Sequence, residues 1–392
     1  MFQSLYLALQ YLKFYKYRTL VLAFSLGVIL FLPNGLQKLI HESEQRLMNR
    51  AKATPLLVGA KGSPTDLVIN TLYFQQEEIE TVNYHTAQQL NQSGLGISIP
   101  LYSVFTAQNF PIVGTTLEYF HFRKLSLLQG RNLSLLGECV IGATVAETLD
   151  LQPGDSLISS PQSFFDLAGV YPLKMKVVGV LAPSDSPDDQ AVFTDLKTTW
   201  IIQGLGHGHQ DMVKVEDPSL ILEVDKNNIK ANAKLYLYNE INEKNRNSFH
   251  FHGDMNTYPI TSVIVVPHDQ KSATLLRGRF VSGELPHQIA VPQQVVNHLL
   301  QSIFRIKQLF NAMFVLVGLA TVCILGLILA LSIRLRQEEL LTFSILGSSK
   351  RKVAQMLSLE IIIVLVLSTC IAFSGYFLTG FFVEDFINLY VL

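Results

Sequence analysis

The chain has 392 residues, 49% of them hydrophobic and only 16% charged, against roughly 25% charged in an ordinary soluble domain. Lys and Arg number 30 and Asp and Glu 31, leaving a net charge of -1, which excludes a disordered polyelectrolyte and a nucleic-acid binder that works by phosphate neutralisation. Three cysteines exclude a disulfide scaffold.

Near the N-terminus, Phe2, Leu5, Tyr6, Leu9 and Leu12 recur at helical spacing. They predict an interfacial helix within residues 1–18, lying on the inner leaflet of a membrane. The uncharged run from Thr19 to Pro33 predicts a first span, and residues 19–40 hold it with the start of a stalk. It leaves through Leu32-Pro33-Asn34-Gly35 without a small-x-small cleavage site, so an uncleaved anchor is expected rather than a signal peptide. Leu36, Leu39, Ile40 and Leu47 carry the helical spacing onward.

Residues 41–303 alternate short apolar runs with turn signals such as Pro153-Gly154-Asp155 and read as an α+β domain. Lys174 to Leu181 and Ser262 to Val266 are expected strands; Thr65 to Phe74 and Thr144 to Leu151 are expected short helices. Two H-x-H pairs stand out, His207 with His209 and His250 with His252. On a strand, residues i and i+2 share a face, and four neutral imidazoles make a zinc set. Asp211 and Asp254 follow close behind. The glycines from Gly204 to Gly208 predict a mobile loop around the first pair. Ordinary loop histidines that never meet are the alternative.

Val291, Val295, Val296, Leu299, Leu300 and Ile303 form a second stalk, with Pro292 suited to a first helical turn. Residues 304–333 hold the stalk end and a second span, whose uncharged run is Phe310 to Ile333, and a third span follows at 361–383. The spans hold no Asp, Glu, Lys, Arg or His, whereas an intramembrane ion path usually leaves one. Lys13, Lys16 and Arg18, then Arg334, Arg336, Lys350, Arg351 and Lys352, place the N-terminus and segment 334–360 inside and the large domain outside. The tail, 384–392, is then outside. Within 334–360, Arg336 to Leu346 is expected to be helical, Gly347 to break it, and Ser348 or Ser349 to cap the next helix. Three cations in a first helical turn oppose the macrodipole, which points to lipid phosphates or an acidic protein groove as their partner. A plain positive-inside signal is the bland alternative.

The run Arg336, Glu338, Glu339, Leu340, Leu346, Gly347, Ser348, Ser349 and Lys350, with Glu360 opening an apolar helix, resembles the cytoplasmic segment of FtsX/MacB/LolC-type ABC transporter permeases. Val140 to Asp155 resembles the LG-x-x-VA-x-x-L-x-L-x-x-GD stretch of that family's periplasmic domain. Lys176 to Leu181, leading to Ala191-Val192-Phe193, resembles its VVGV…VF strand pair. Pro55 to Pro64 is similar to a subgroup of these permeases. The family usually has four spans; three fit here, an expected departure. The resemblance implies a first subdomain near the membrane with a second inserted at roughly residues 80–230.

It further implies a bacterial inner-membrane permease subunit of the mechanotransmission kind, serving efflux or lipoprotein handling. Its partners would be a cytoplasmic ABC ATPase dimer, a second permease copy in a homo- or heterodimer, and a periplasmic adaptor or lipoprotein. Coupling would fall on residues 336–352, with Glu338, Glu339, Leu340, Gly347 and Arg351 foremost. The chain contains no G-x-x-x-x-G-K-[ST], G-x-S-x-G or H-E-x-x-H. ATP and Mg²⁺ are therefore expected on the partner, with zinc the one cofactor to consider here. An FtsX-like regulator of an extracytoplasmic enzyme and a membrane-anchored metal-binding or sensor protein are the alternative readings.

Overall fold

The computed structural model describes residues 2–390 apart from 76–78, 161–171, 209–220, 226–227, 232–238, 282–285, 336 and 346–347. It divides into two compact units, Met1–Leu47 with His298–Leu392, and Met48–Asn297.

The first unit is helical. The apolar runs leave backbone groups that no lipid can satisfy, and a helix satisfies them internally. Helices Lys16–Lys52 and Pro292–Leu335 continue beyond this unit, and Lys350–Tyr390 lies within it. Two segments, Lys16–Lys52 and Arg351–Gly380, are long and apolar enough to cross a membrane, and Gln308–Ile324 is a shorter apolar stretch. The last helix runs on through residues expected to form a separate tail. Pro33 withholds an N–H inside its helix, and Asn34 Nδ2 donates to the Leu30 carbonyl one turn back at 2.8 Å.

Small residues bring the first and last long helices together, as they do generally between membrane helices. A Cβ on Gly27 would lie 2.7 Å from Ile371 Cγ2, and one on Gly375 would lie 2.9 Å from Phe31 Cδ2. Lys38 Nζ stands 4.8 Å from the centre of the Tyr376 ring. The N-terminal helix Phe2–Phe14 packs on Lys350–Tyr390 through Ser4 and Ala8, both buried. This qualifies the expected interfacial helix. Its small residues meet protein, while Tyr6, Leu9 and Phe14 remain exposed.

The second unit is α+β and built on one mixed sheet of 11 strands. Across it lie Asn239–Glu240, Leu173–Leu181, Glu138–Ile141, Val192–Asp195, Phe110–Thr115, Gly96–Ala107, Ser262–Pro267, Leu56–Gly59 and Gln288–Ala290. Leu127–Gly130 and Ser156–Ile158 also pair with Leu173–Leu181. Helices Pro64–Tyr73, His85–Gln92, Ala143–Leu149 and Leu196–Ile202 accompany it. The core collects fully buried Leu57, Val58, Ile112, Val140, Ile141, Val177 and Phe193. Two of the expected helices and two of the expected strands stand within about two residues of their predicted bounds, the usual uncertainty of element ends.

The inserted subdomain expected over 80–230 is not a separate body. The 12-residue strand Gly96–Ala107 belongs to both halves of the sheet. Its first half pairs with Ser262–Pro267 and its second with Phe110–Thr115. This one strand, with a register shift between Tyr102 and Phe105, joins what a chain-order reading separates.

Candidate functional site

Three groups of residues in the structure can carry function. The first is the segment between the last two long helices. Helix Gln337–Ile345 holds Glu338, Glu339 and Leu340, and helix Lys350–Tyr390 opens at Lys350 and Arg351. Ser349 provides the carbonyl that receives the N–H groups of Lys352 and Val353 at 2.9 and 3.3 Å, which places it at the helix start, as its sequence position suggested. Arg336, Leu346 and Gly347 lie outside the described residues. Glu338 and Arg351 are exposed and Ser348 is half-buried. Ser348 and Lys352 join Gln3, Ser4 and Leu7 around a cavity of about 150 Å³. Leu341 and Ile345, 61% and 84% exposed, had not been singled out from sequence. With Glu338 they fall at i, i+3 and i+7, one helical face, and that spacing was the available signal.

The second group is a buried ion pair. Arg50 sits in the last turn of helix Lys16–Lys52. Its Nη1 donates to Asp188 Oδ2 at 2.7 Å and its Nη2 to Asp188 Oδ1 at 2.9 Å, a bidentate pair. Arg50 Nη2 also donates to the Tyr119 hydroxyl at 3.0 Å, and that hydroxyl donates to Asp188 Oδ1 at 2.7 Å. Arg50 Nε donates to the Leu72 carbonyl. Asp188 is set on the short turn Pro187–Gln190, whose capping box is built on Ser186. Burial alone would push the Asp188 carboxyl up, but the Arg50 guanidinium and its hydrogen bonds hold it at about 2. Arg123 is half-buried here, with guanidinium nitrogens out of reach of solvent. Desolvation first, and the Arg50 charge second, hold its pKa below the ordinary guanidinium value.

The third group is the histidines. Strand Gly206–Gly208 pairs antiparallel with Phe249–Phe251, and His207 stands directly opposite His250. His252 follows two residues later on the same face. The ligand nitrogens of His207, His250 and His252 all lie within 4.8 Å of one another. His209 and Asp211 lie outside the described residues. Asp254 Oδ1 accepts from the Asn256 N–H at 2.9 Å and caps the turn Met255–Thr257.

The expected mobile loop is instead this strand. Gly206 and Gly208 are there because Phe251 and Phe249 lie across them. A Cβ on either glycine would come within 2.7 Å of those rings. Behind the strand pair, Trp200 meets Phe251 and Tyr258 edge-on, with ring centres 6.5 and 5.1 Å apart. The Tyr258 hydroxyl donates to the His252 carbonyl at 2.8 Å and approaches the Leu205 carbonyl at 3.3 Å.

The model of the MacB-like periplasmic core domain family matches residues 23–228. The periplasmic region of MacB from Actinobacillus actinomycetemcomitans is 13% identical, with a TM-score of 0.35, over 65% of this chain and 98% of that one. The extracellular domain of the noncanonic ABC-type transporter YknZ from Gram-positive bacteria is 12% identical, with a TM-score of 0.33, over 60% of this chain and 99% of that one. No curated protein matches the chain.

Proposed function

The chain belongs to the FtsX/MacB-type family of ABC transporter permeases through its MacB-like periplasmic core domain, and on that premise we propose that it is the transmembrane subunit of an ATP-driven mechanotransmission machine. Permease subunits of this family are membrane proteins with an extracytoplasmic domain, generally non-catalytic. In our reading a separate cytoplasmic ABC ATPase dimer hydrolyses ATP, and two permease copies take its motion across the bacterial inner membrane through three spans each. The work done outside is export or lipoprotein handling, together with a periplasmic adaptor or lipoprotein.

The observation that carries this reading is the acidic and apolar face of Glu338, Leu341 and Ile345 on the short helix between two long ones. A face of that composition suits insertion into a groove of a partner protein. Motion imparted there has a stiff route outward. Helix Lys16–Lys52 has 37 residues and is about 55 Å long at about 1.5 Å per residue. Helix Pro292–Leu335 has 44 residues and is about 66 Å long by the same rule. The bidentate Arg50–Asp188 pair fastens the last turn of the first helix to the sheet's surroundings, so axial displacement is delivered rather than dissipated.

The direct test is co-purification with a co-expressed cytoplasmic ABC ATPase from the same genome. Glu339→Lys, Gly347→Pro and Leu341→Asp are each expected to abolish capture while leaving the chain in the membrane. Full capture by all three variants would refute the docking assignment.

A further inference from the structure

The three gathered histidines go beyond coupling. We propose that His207, His250 and His252 form a binding site for a divalent transition-metal ion of the zinc class on the extracytoplasmic domain.

The geometry is that of a ligand set. His207 Nε2 and His252 Nε2 are 3.4 Å apart. Two nitrogens bound tetrahedrally at about 2.0–2.1 Å from one ion are separated by about 3.3 Å, so these two already stand at ligand spacing. The His250 ring completes the set, its centre 5.0 Å from that of His207 and 4.6 Å from that of His252. His250 Nδ1 is 3.1 Å from the Ser248 carbonyl oxygen, which only accepts. That bond puts the ring proton on Nδ1 and makes Nε2 the lone-pair nitrogen, the second-shell arrangement typical of a metal-binding imidazole.

The platform is rigid. Two hydrogen-bonded strands carry His207 and His250, and the Tyr258 hydroxyl holds the backbone at His252. Trp200 and Phe251 back the opposite face. His207 and His252 are exposed and His250 is half-buried, so an ion reaches the site from solvent.

The donor set selects the metal. Among the described residues the set is three imidazoles, which suit Zn²⁺ and its neighbours rather than the oxygen-seeking Ca²⁺ or Mg²⁺. Binding joins segments more than 40 residues apart in sequence, so it stabilises the folded domain by mass action.

The test uses the full chain, purified in detergent without a polyhistidine tag and stripped with a chelator. Zn²⁺ is titrated by calorimetry and bound zinc is counted by elemental analysis. One Zn²⁺ per chain is expected, with a rise in unfolding temperature. His207→Ala and His252→Ala should each weaken binding at least tenfold and remove that rise. His121→Ala, at an exposed histidine on the helix Leu117–Arg123 away from these strands, should leave both unchanged. If an alanine variant fails to fold, His252→Asn at an exposed position decides the matter by the same readouts. No binding by the parent chain, or equal binding by the His207 and His252 variants, would overturn the proposal.

Discussion

Replacing Asp188 by Asn removes the carboxylate that faces Arg50 and lies near Arg123, and changes almost nothing else in shape. Asp188 Oδ1 accepts from Arg50 and Tyr119, and Oδ2 accepts from Arg50 at 2.7 Å and from the Ser186 hydroxyl at 3.0 Å. An amide puts an NH₂ group where two donors already point. It also leaves the buried guanidinium of Arg50 without its counter-charge, a loss of about 3–5 kcal/mol. For a unit of this size, Met48–Asn297, each kcal/mol moves the midpoint by about 2–4 °C, so a fall on the order of 10 °C is expected.

The assay is intrinsic fluorescence during heating. The chain has a single Trp, and Trp200 is 2% exposed in the core of the same unit, so its emission follows this unit and not the membrane helices. The double variant Arg50→Met with Asp188→Leu should recover most of the loss, because a paired apolar replacement strands no charge. A shift below about 2 °C for Asp188→Asn, or a double variant no better than the single one, would refute the assignment of the ion pair as a structural fastening.

Two further outcomes follow from the same reasoning. Because the Asp188 carboxyl is held at about 2 in the folded state against an ordinary 3.8, its contribution to stability is complete above about pH 4 and is lost as pH falls toward 2. The Trp200 midpoint should drop over that window in the parent chain and be flatter in Asp188→Asn. Gly27→Val should lower the aggregation onset of the detergent-solubilised chain, since even a Cβ there meets Ile371 at 2.7 Å and the Ser368 carbonyl at 3.2 Å, whereas Gly318→Val enters open space and should be neutral.

Much of this was readable from local pattern. The uncharged runs marked the long helices because their length and composition are set by the membrane. Pro292 marked a helix start because its missing N–H costs nothing there. The i and i+2 spacing in His250-Phe251-His252 put two rings on one face, but nothing local paired that strand with His207, 43 residues earlier. The Arg50–Asp188 pair spans 138 residues and was missed for the same reason, since neither residue breaks a local rule. Glycine misled at Gly206 and Gly208. The absent side chain made room for aromatic rings from a strand still to come, and a composition rule reads such glycines as looseness. Ser4 and Ala8 were passed over because the apolar residues beside them dominate the helical pattern, although small residues permit the close approach of two helices.

The chain enters and leaves the extracytoplasmic sheet on adjacent strands. Leu57, Val58 and Gly59 lie in register with Ala290, Ile289 and Gln288. Each strand is only a few residues from a long helix. A one-residue slip between them would turn every side chain of the slipped strand to the wrong face. The first and last strands of this sheet are therefore keyed to each other in register. Gly96–Ala107 pairs with Ser262–Pro267 through its first half and, past a register shift between Tyr102 and Phe105, with Phe110–Thr115 through its second, so this keyed edge and the far strands share one backbone.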